Sequence, residues 1–205
     1  MELIRKYFPR LDDTQERQFG KLIEVIPGLN QQVNVISRKD IEHLEERHIL
    51  HSLSIAKQFS FTPKQTVVDV GTGGGFPGIP LAILFPETHF ILVDSTGKKI
   101  RLVEEVSEAL ELKNVSTLHQ RAESLGGSAN FVVSRAVSAF PKLHEWTWRL
   151  IKPGRGQEMN GLIALKGGDL EEELSPFKKK IKIFPISECF EESFFSTKAI
   201  VYLKK

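Results

Sequence analysis

Three glycines follow a carboxylate at alternate positions in VVDVGTGGGFPGIP, residues 67–80: Gly71, Gly73 and Gly75, after Asp69. Glycine has no side chain to hold a ligand away, so such a turn lets a small molecule lie directly on the backbone. Two phosphate-binding patterns are not met. A dinucleotide fingerprint has its third glycine at the sixth position of the turn, and here that position is Phe76. A Walker loop ends in Gly-Lys-Ser/Thr, which this turn lacks. Asp94 closes the next apolar run, HFILVD, where a carboxylate can accept hydrogen bonds from both hydroxyls of a ribose. Together these features suit a ligand with an adenosine ribose and no phosphates, S-adenosylmethionine. Two alternatives stay open on the residues alone: a tight turn that binds nothing, with Asp94 as a helix N-cap, and a dinucleotide held through its ribose.

The elements around these residues are those of an alternating α/β chain. TVVDV (66–70), HFILVD (89–94), VSTLH (115–119), NFVVS (130–134) and GLIALK (161–166) read as short buried strands. Between them GIPLAILF reads as a helix with Pro80 in its first turn. GKKIRLVEEVSEALEL is amphipathic, with Ile100, Val103, Val106 and Leu110 on one face, and a further helix runs through Trp146 to Leu150 before a turn near KPGRG. KIKIFPI and KAIVYL, with no helix expected between them, read as a terminal antiparallel pair. Such alternation implies a doubly wound parallel sheet, with its ligand at the carboxyl ends of the strands where strand order reverses. Residues 1–60 read as a helical extension packed on a domain of residues 61–205. Phe19, Leu22, Ile23 and Ile26 lie at helical spacing, Pro27–Gly28 is expected to stop that helix, QVNVI is the one strand-like stretch, and a second helical region covers 40–59.

With 205 residues, 40% of them hydrophobic, the chain can bury one sizeable core. A formal net charge of +2 permits a nucleic-acid partner without arguing for one. One cysteine, Cys189, excludes an internal disulfide framework and a cysteine-rich zinc site, and the six histidines have no metal spacing, so no metal is expected. There is no N-terminal secretory pattern and no apolar run long enough to span a bilayer, so a cytoplasmic protein is expected.

Several stretches resemble, in order and spacing, the GidB (RsmG) family, which methylates N7 of a guanine in bacterial small-subunit ribosomal RNA: DVGTGGGFPGIPLAI, LVDSTGKKIRLV, QRAE, VVSRAVS and IALKG, with NVISRKD and RHILHS nearer the N-terminus. The family often has Pro where this chain has Gly74 and Asp where it has His51. The resemblance implies a class I S-adenosylmethionine-dependent methyltransferase fold, Rossmann-like and doubly wound, with a terminal antiparallel strand pair. It also implies site residues: Gly71 and Phe76 in the cofactor turn, Ala122 and Glu123 beside the adenine, and Arg135 lining the cofactor and substrate cleft. Small-subunit ribosomal RNA, free or in the subunit, is the implied partner, and a monomer is expected.

The chemistry sorts the possible targets. Carbon-5 of a pyrimidine needs a covalent cysteine, and Cys189 lies past the fifth strand, away from the cleft. Exocyclic amines are often served by Asn/Asp-Pro-Pro-aromatic after the fourth strand, where this chain has Ser134-Arg135-Ala136. N7 of guanine carries a free lone pair and needs no base, which fits a cleft with no residue assigned as catalyst. Arg38, Arg47, His48, Arg135 and Lys166 are the candidate RNA-binding residues, with Lys39, Lys98, Lys99 and Arg101 as further basic positions. Trp146 and Trp148 read as packing groups. The rival functions are methylation of a ribose hydroxyl or small molecule, a dinucleotide oxidoreductase, and a cofactor-binding ribosome-assembly factor without catalysis.

Overall fold

The structure, a computed structural model, describes residues 1–154 and 159–205. Seven strands form one sheet: β1 (Thr66–Val70), β2 (His89–Asp94), β3 (Val115–His119), β4 (Phe131–Arg135), β5 (Gly161–Gly167), β6 (Ile181–Pro185) and β7 (Lys198–Lys204), in the order β3-β2-β1-β4-β5-β7-β6. The first five are parallel and β7 runs antiparallel to both β5 and β6. Order reverses at β1, flanked by β2 and β4, so the glycine turn leaves the sheet at the switch point. β4 begins and ends one residue later than expected, which puts Arg135 inside the strand, at its carboxyl end. The last two residues of the KPGRG turn, 155 and 156, lie outside the described residues.

Alternation along the strands divides the core into two layers. Val67, Phe90, Leu92, Phe131, Val133 and Tyr202 face one side, and Val68, Val70, Val93, Val132, Leu162 and Leu203 the other. The first layer is closed by α5 (Gly78–Leu84), α6 (Gly97–Ala109) and the N-terminal helices; the second by α7 (Phe140–Thr147).

The N-terminal segment holds α1 (Glu2–Tyr7), α2 (Asp13–Val33) and α3 (Arg38–Ile41), then a continuous helical stretch of π-helix (Glu45–Leu50), α4 (His51–Leu53) and 3-10 helix (Ser54–Lys57). α2 starts at a capping box, Asp12 with Gln15, and buries Phe19, Leu22, Ile26 and Asn30 along one face. Its Gln15 and Gln18 donate to the last carbonyls of α5 and α6, at Ile83, Leu84 and Leu110.

Two local expectations are corrected. Pro27 does not stop α2, which continues to Val33 and ends at Asn34 in the left-handed conformation. Packing of Ile26 and Asn30 on the same buried face outweighs the hydrogen bond that proline forfeits. QVNVI is not a strand: Val33 ends the helix, and the Ile36 backbone bonds in both directions to the Asn30 side chain at 2.9 Å.

Candidate functional site

Two cavities open at the carboxyl end of the sheet. The first, about 520 Å³, lies between the β1 turn, the end of β2, the loop after β3 and α7. The Gly73 N–H donates to Asp94 Oδ2 at 3.1 Å and the Thr96 N–H to Oδ1 at 2.9 Å, so this carboxylate ties the glycine turn to β2. A carboxylate has four lone-pair positions; two on Asp94 take no hydrogen bond and are left for a ligand in the cavity, with Lys99 Nζ pairing with Oδ2 at 3.7 Å. Asp69, fully buried, braces the turn from below by accepting from Thr72 Oγ1 at 2.7 Å and Gly78 N at 2.9 Å. Burial pushes its carboxyl up to about 7, against these hydrogen bonds.

Gly71 has φ +69°, and a Cβ there would overlap the Val137 side chain, so only glycine fits under that loop. Gly75 has φ +92° with Ile79 pressed against it, and the Gly75 carbonyl accepts from the Ile79 N–H as the chain turns into α5. Ala136, in the loop over Gly71, takes φ +56°, a strained conformation for a residue with a Cβ.

The second cavity, about 390 Å³, lies between the glycine turn and the N-terminal helical stretch and shares Gly71, Lys99 and Ala136 with the first. The π-helix brings Arg47 and His48 to its wall, α4 adds His51, and Ser37, the N-cap of α3, and Asp40 within it complete that side. Arg135 reaches across from β4. Its Nη1 donates to the Arg47 carbonyl at 3.1 Å, its Nη2 to His48 Nδ1 at 2.8 Å, and its guanidinium lies over the Phe76 ring at 5.3 Å. Burial lowers Arg135 to about 10, still charged at neutral pH, while burial and the Arg135 charge push His48 down to about 3. His51 is also lowered well below its usual value, chiefly by burial, and its Nε2 and Arg47 Nε are buried without a partner among the described residues.

The expected site residues divide between the two cavities, Gly71 lying in both. Gly71, Asp94, Ala122 and Glu123 line the first cavity; Gly71, Gly73, Phe76, Arg47, His48 and Arg135 line the second. Phe76, expected in the cofactor turn, is buried on the second wall with the His48 ring edge-on at 5.5 Å, because the turn at Gly75 swings it there. Gly75, in the same turn, lines neither. Arg38 is exposed on α3, outside both cavities. Lys166 also lines neither. Its ammonium donates to the Ser138 carbonyl at 2.6 Å and pairs with Glu173 at 2.7 Å. A phosphate would have to displace that carboxylate, so the charge expected on RNA instead holds the loop over Gly71. Cys189 contacts Gln58 Nε2 at 3.6 Å, away from both cavities. Trp146, read as packing, lines the first cavity with Lys142 over its ring at 5.2 Å. Phe194 and Lys198, from the turn before β7 and its first residue, line the second and had no local signal in the sequence.

Known proteins agree with this architecture. The GidB family model, described as rRNA small subunit methyltransferase G, matches residues 15–198. A Bacteroides thetaiotaomicron protein named ribosomal RNA small subunit methyltransferase G is 55% identical over 203 residues, covering 98% of each chain. One of the same name from Christiangramia forsetii is 52% identical over 204 residues, covering 99% of this chain and 96% of that one. Among solved structures, a SAM dependent methyltransferase from Aquifex aeolicus superposes with TM-score 0.58 at 17% identity, covering 82% of this chain and 98% of that one. At that identity the likeness speaks to the fold, a class I methyltransferase sheet.

Proposed function

This chain belongs to the GidB family, rRNA small subunit methyltransferase G, and from that premise we propose that it transfers the methyl group of S-adenosylmethionine to N7 of a guanine in small-subunit ribosomal RNA. The observation that carries the reading is the shared wall of the two cavities, Gly71, Lys99 and Ala136. It lets a cofactor in the first cavity and a nucleotide in the second meet across one glycine turn.

The residues fit S-adenosylmethionine. The glycine turn offers bare backbone, and Asp94 has lone pairs to spare for a ribose diol at the end of β2. Ala122 and Glu123 flank the adenine side, and Trp146 with Lys142 closes the far wall. When bound, S-adenosylmethionine supplies a methyl group on a sulfonium; the S–CH3 bond breaks as the N7–CH3 bond forms, the bonding pair stays on sulfur, and no proton is transferred. The protein's task is therefore alignment and exclusion of water. His48 is suited to that and unsuited to acid–base work, because the Arg135 bond keeps Nδ1 a lone pair and the ring neutral.

We assign the second cavity to the target nucleotide, with Arg47, His48 and Arg135 at its wall and Arg38 on the adjoining surface for the RNA backbone. Residues 1–60 form the helical extension that supplies this wall to the methyltransferase domain of residues 61–205. We take the chain to act as a monomer, and the RNA substrate supports a cytoplasmic place of work. Among the described residues no helix is long and apolar enough to cross a membrane, and no group of three metal-ligating side chains occurs.

The test is mass spectrometry of small-subunit RNA from cells with and without the gene. Loss of one 7-methylguanosine, restored by the gene, is expected; an unchanged inventory of methylated nucleosides would overturn the reading.

A further inference from the structure

The second cavity carries one hydrogen-bond donor and one acceptor whose roles the surrounding bonds fix. A guanidinium can only donate, so the 2.8 Å contact from Arg135 Nη2 makes His48 Nδ1 an acceptor and leaves the ring proton on Nε2. Nε2 makes no hydrogen bond among the described residues, and His48 lines the cavity. His48 is thus a fixed N–H donor that cannot turn into an acceptor.

Asp40 is the opposite. Its Oδ1 accepts from Arg47 Nη1 at 2.8 Å and its Oδ2 from Ser37 Oγ at 2.8 Å. One lone-pair position remains on each oxygen, and the side chain is 40% exposed on the cavity wall. Arg47 and Ser37 hold the carboxylate ionised, lowering it below its usual range despite partial burial, so it accepts and does not donate. Among the described residues it is the one carboxylate on this wall.

On the footing of the guanine-N7 reading, we propose that this pair reads the target base: His48 Nε2–H donates to guanine O6, while Asp40 accepts from N1–H and the 2-amino group. The donor cannot be meant for N7, because that bond would occupy the lone pair that attacks. Adenine is rejected twice. It offers an amino donor where O6 stands, facing the His48 N–H, and an N1 acceptor where Asp40 has only lone pairs. The carboxylate also favours the reaction itself. Alkylation at N7 leaves the purine cationic and its N1–H more acidic, so the bond to Asp40 strengthens as the methyl group arrives. Arg135, over the Phe76 face and bonded to His48, is a positioning residue for this donor.

The experiment is a substitution cycle on both partners. The methylated guanine of small-subunit RNA is located, and RNAs carrying inosine (no 2-amino group) or 2-aminopurine (no O6, no N1–H) at that position are assembled. Methyl transfer is then measured at saturating S-adenosylmethionine. With wild-type protein, inosine should lower kcat/KM by about tenfold and 2-aminopurine by more. In Asp40→Ala the inosine penalty should shrink below about threefold, because the protein no longer carries an acceptor for the 2-amino group to meet. His48→Phe should shrink the 2-aminopurine penalty, and His48→Gln, which can keep an N–H at the Nε2 position, should retain it. Melting curves and cofactor titrations identify any variant that has not folded, and Asp40→Ser and His48→Leu then take its place in the cycle. Equal penalties in wild-type and variant proteins would overturn the assignment while leaving the methyltransferase intact. Absence of transfer to the guanine RNA by the wild-type protein would instead overturn the functional reading on which it rests.

Discussion

The hydrogen bond from Arg135 to His48 makes a demand on stability as well as on specificity. His48 is held at about 3 in the folded chain against 6.5 ordinarily, by burial first and the Arg135 charge second. Between those values the unfolded chain binds the extra proton, so stability falls as pH is lowered through that window. His51, lowered chiefly by burial, acts in the same sense. Asp69, raised from 3.8 to about 7 by burial, acts in the opposite one: its favourable contribution is present at low pH and lost as pH rises towards 7. Between pH 7.5 and 5 His48 loses about 2 kcal/mol and Asp69 gains about 2.5 kcal/mol, so these two nearly cancel, and His51 adds to the loss. Thermal denaturation at pH 7.5 and 5 should therefore be read as a difference: lowering the pH should favour the folded state of His48→Gln more than that of the wild type, and the same change in Tm in both would contradict the assigned protonation. Arg135 makes a second demand. It lines the second cavity and not the first. Arg135→Ala should therefore lower methyl transfer by about tenfold or more, about 1.4 kcal/mol or greater, with cofactor affinity nearly unchanged in a calorimetric titration and no rescue by excess S-adenosylmethionine. Arg135→Lys should recover little, because one ammonium cannot reproduce a fork that reaches both His48 and the Arg47 carbonyl.

Elements rather than single side chains place these groups. The glycine turn works because Gly71 sits at φ +69° beneath Val137. Gly71→Val adds both strain and overlap, and should cost S-adenosylmethionine affinity at least about tenfold while circular dichroism shows the helices intact; full affinity in the folded variant would remove the turn from the site. α2 acts at longer range. Asn30 is buried near its end and bonds both to the N–H and to the carbonyl of Ile36, fixing the link into Ser37 and Asp40. Asn30→Ala should destabilise the fold by about 1–3 kcal/mol in urea titrations and lower methyl transfer to RNA at temperatures where the protein is still folded. An active variant of unchanged stability would show that this link is not held from α2. The sequence made the strands legible, since β1, β2 and β3 have the residues that β-branched, apolar runs mark out. It could not show α2 running past Pro27, where tertiary packing decides, nor a π-helix at Glu45–Leu50, whose spacing is close to that of an α-helix in so short a run.

At the scale of the whole molecule, the doubly wound order brings the ends of β1, β2 and β4 together and leaves the N-terminal helices to build the second wall. The first cavity was largely legible because Gly71 directly follows β1 and Asp94 ends β2, while Ala122 and Glu123 came from the family resemblance. The second was only half legible. Arg47, His48 and Arg135 stand in recognisable stretches, but Phe194 and Lys198 arrive from the far end of the chain, and Lys166 finds Glu173 only once the segment after β5 folds back. A net charge of +2 is too small to steer RNA by itself, so the cationic groups gathered at this wall must do so locally. All of this rests on one reaction, and one measurement addresses it: purified protein incubated with methyl-labelled S-adenosylmethionine and small-subunit RNA from cells lacking the gene, followed by digestion to nucleosides and mass spectrometry. The label should appear in 7-methylguanosine at a single position, and should fall in Gly71→Val and Arg135→Ala. Label on a ribose oxygen, on an exocyclic amine or on no nucleoside would contradict the account.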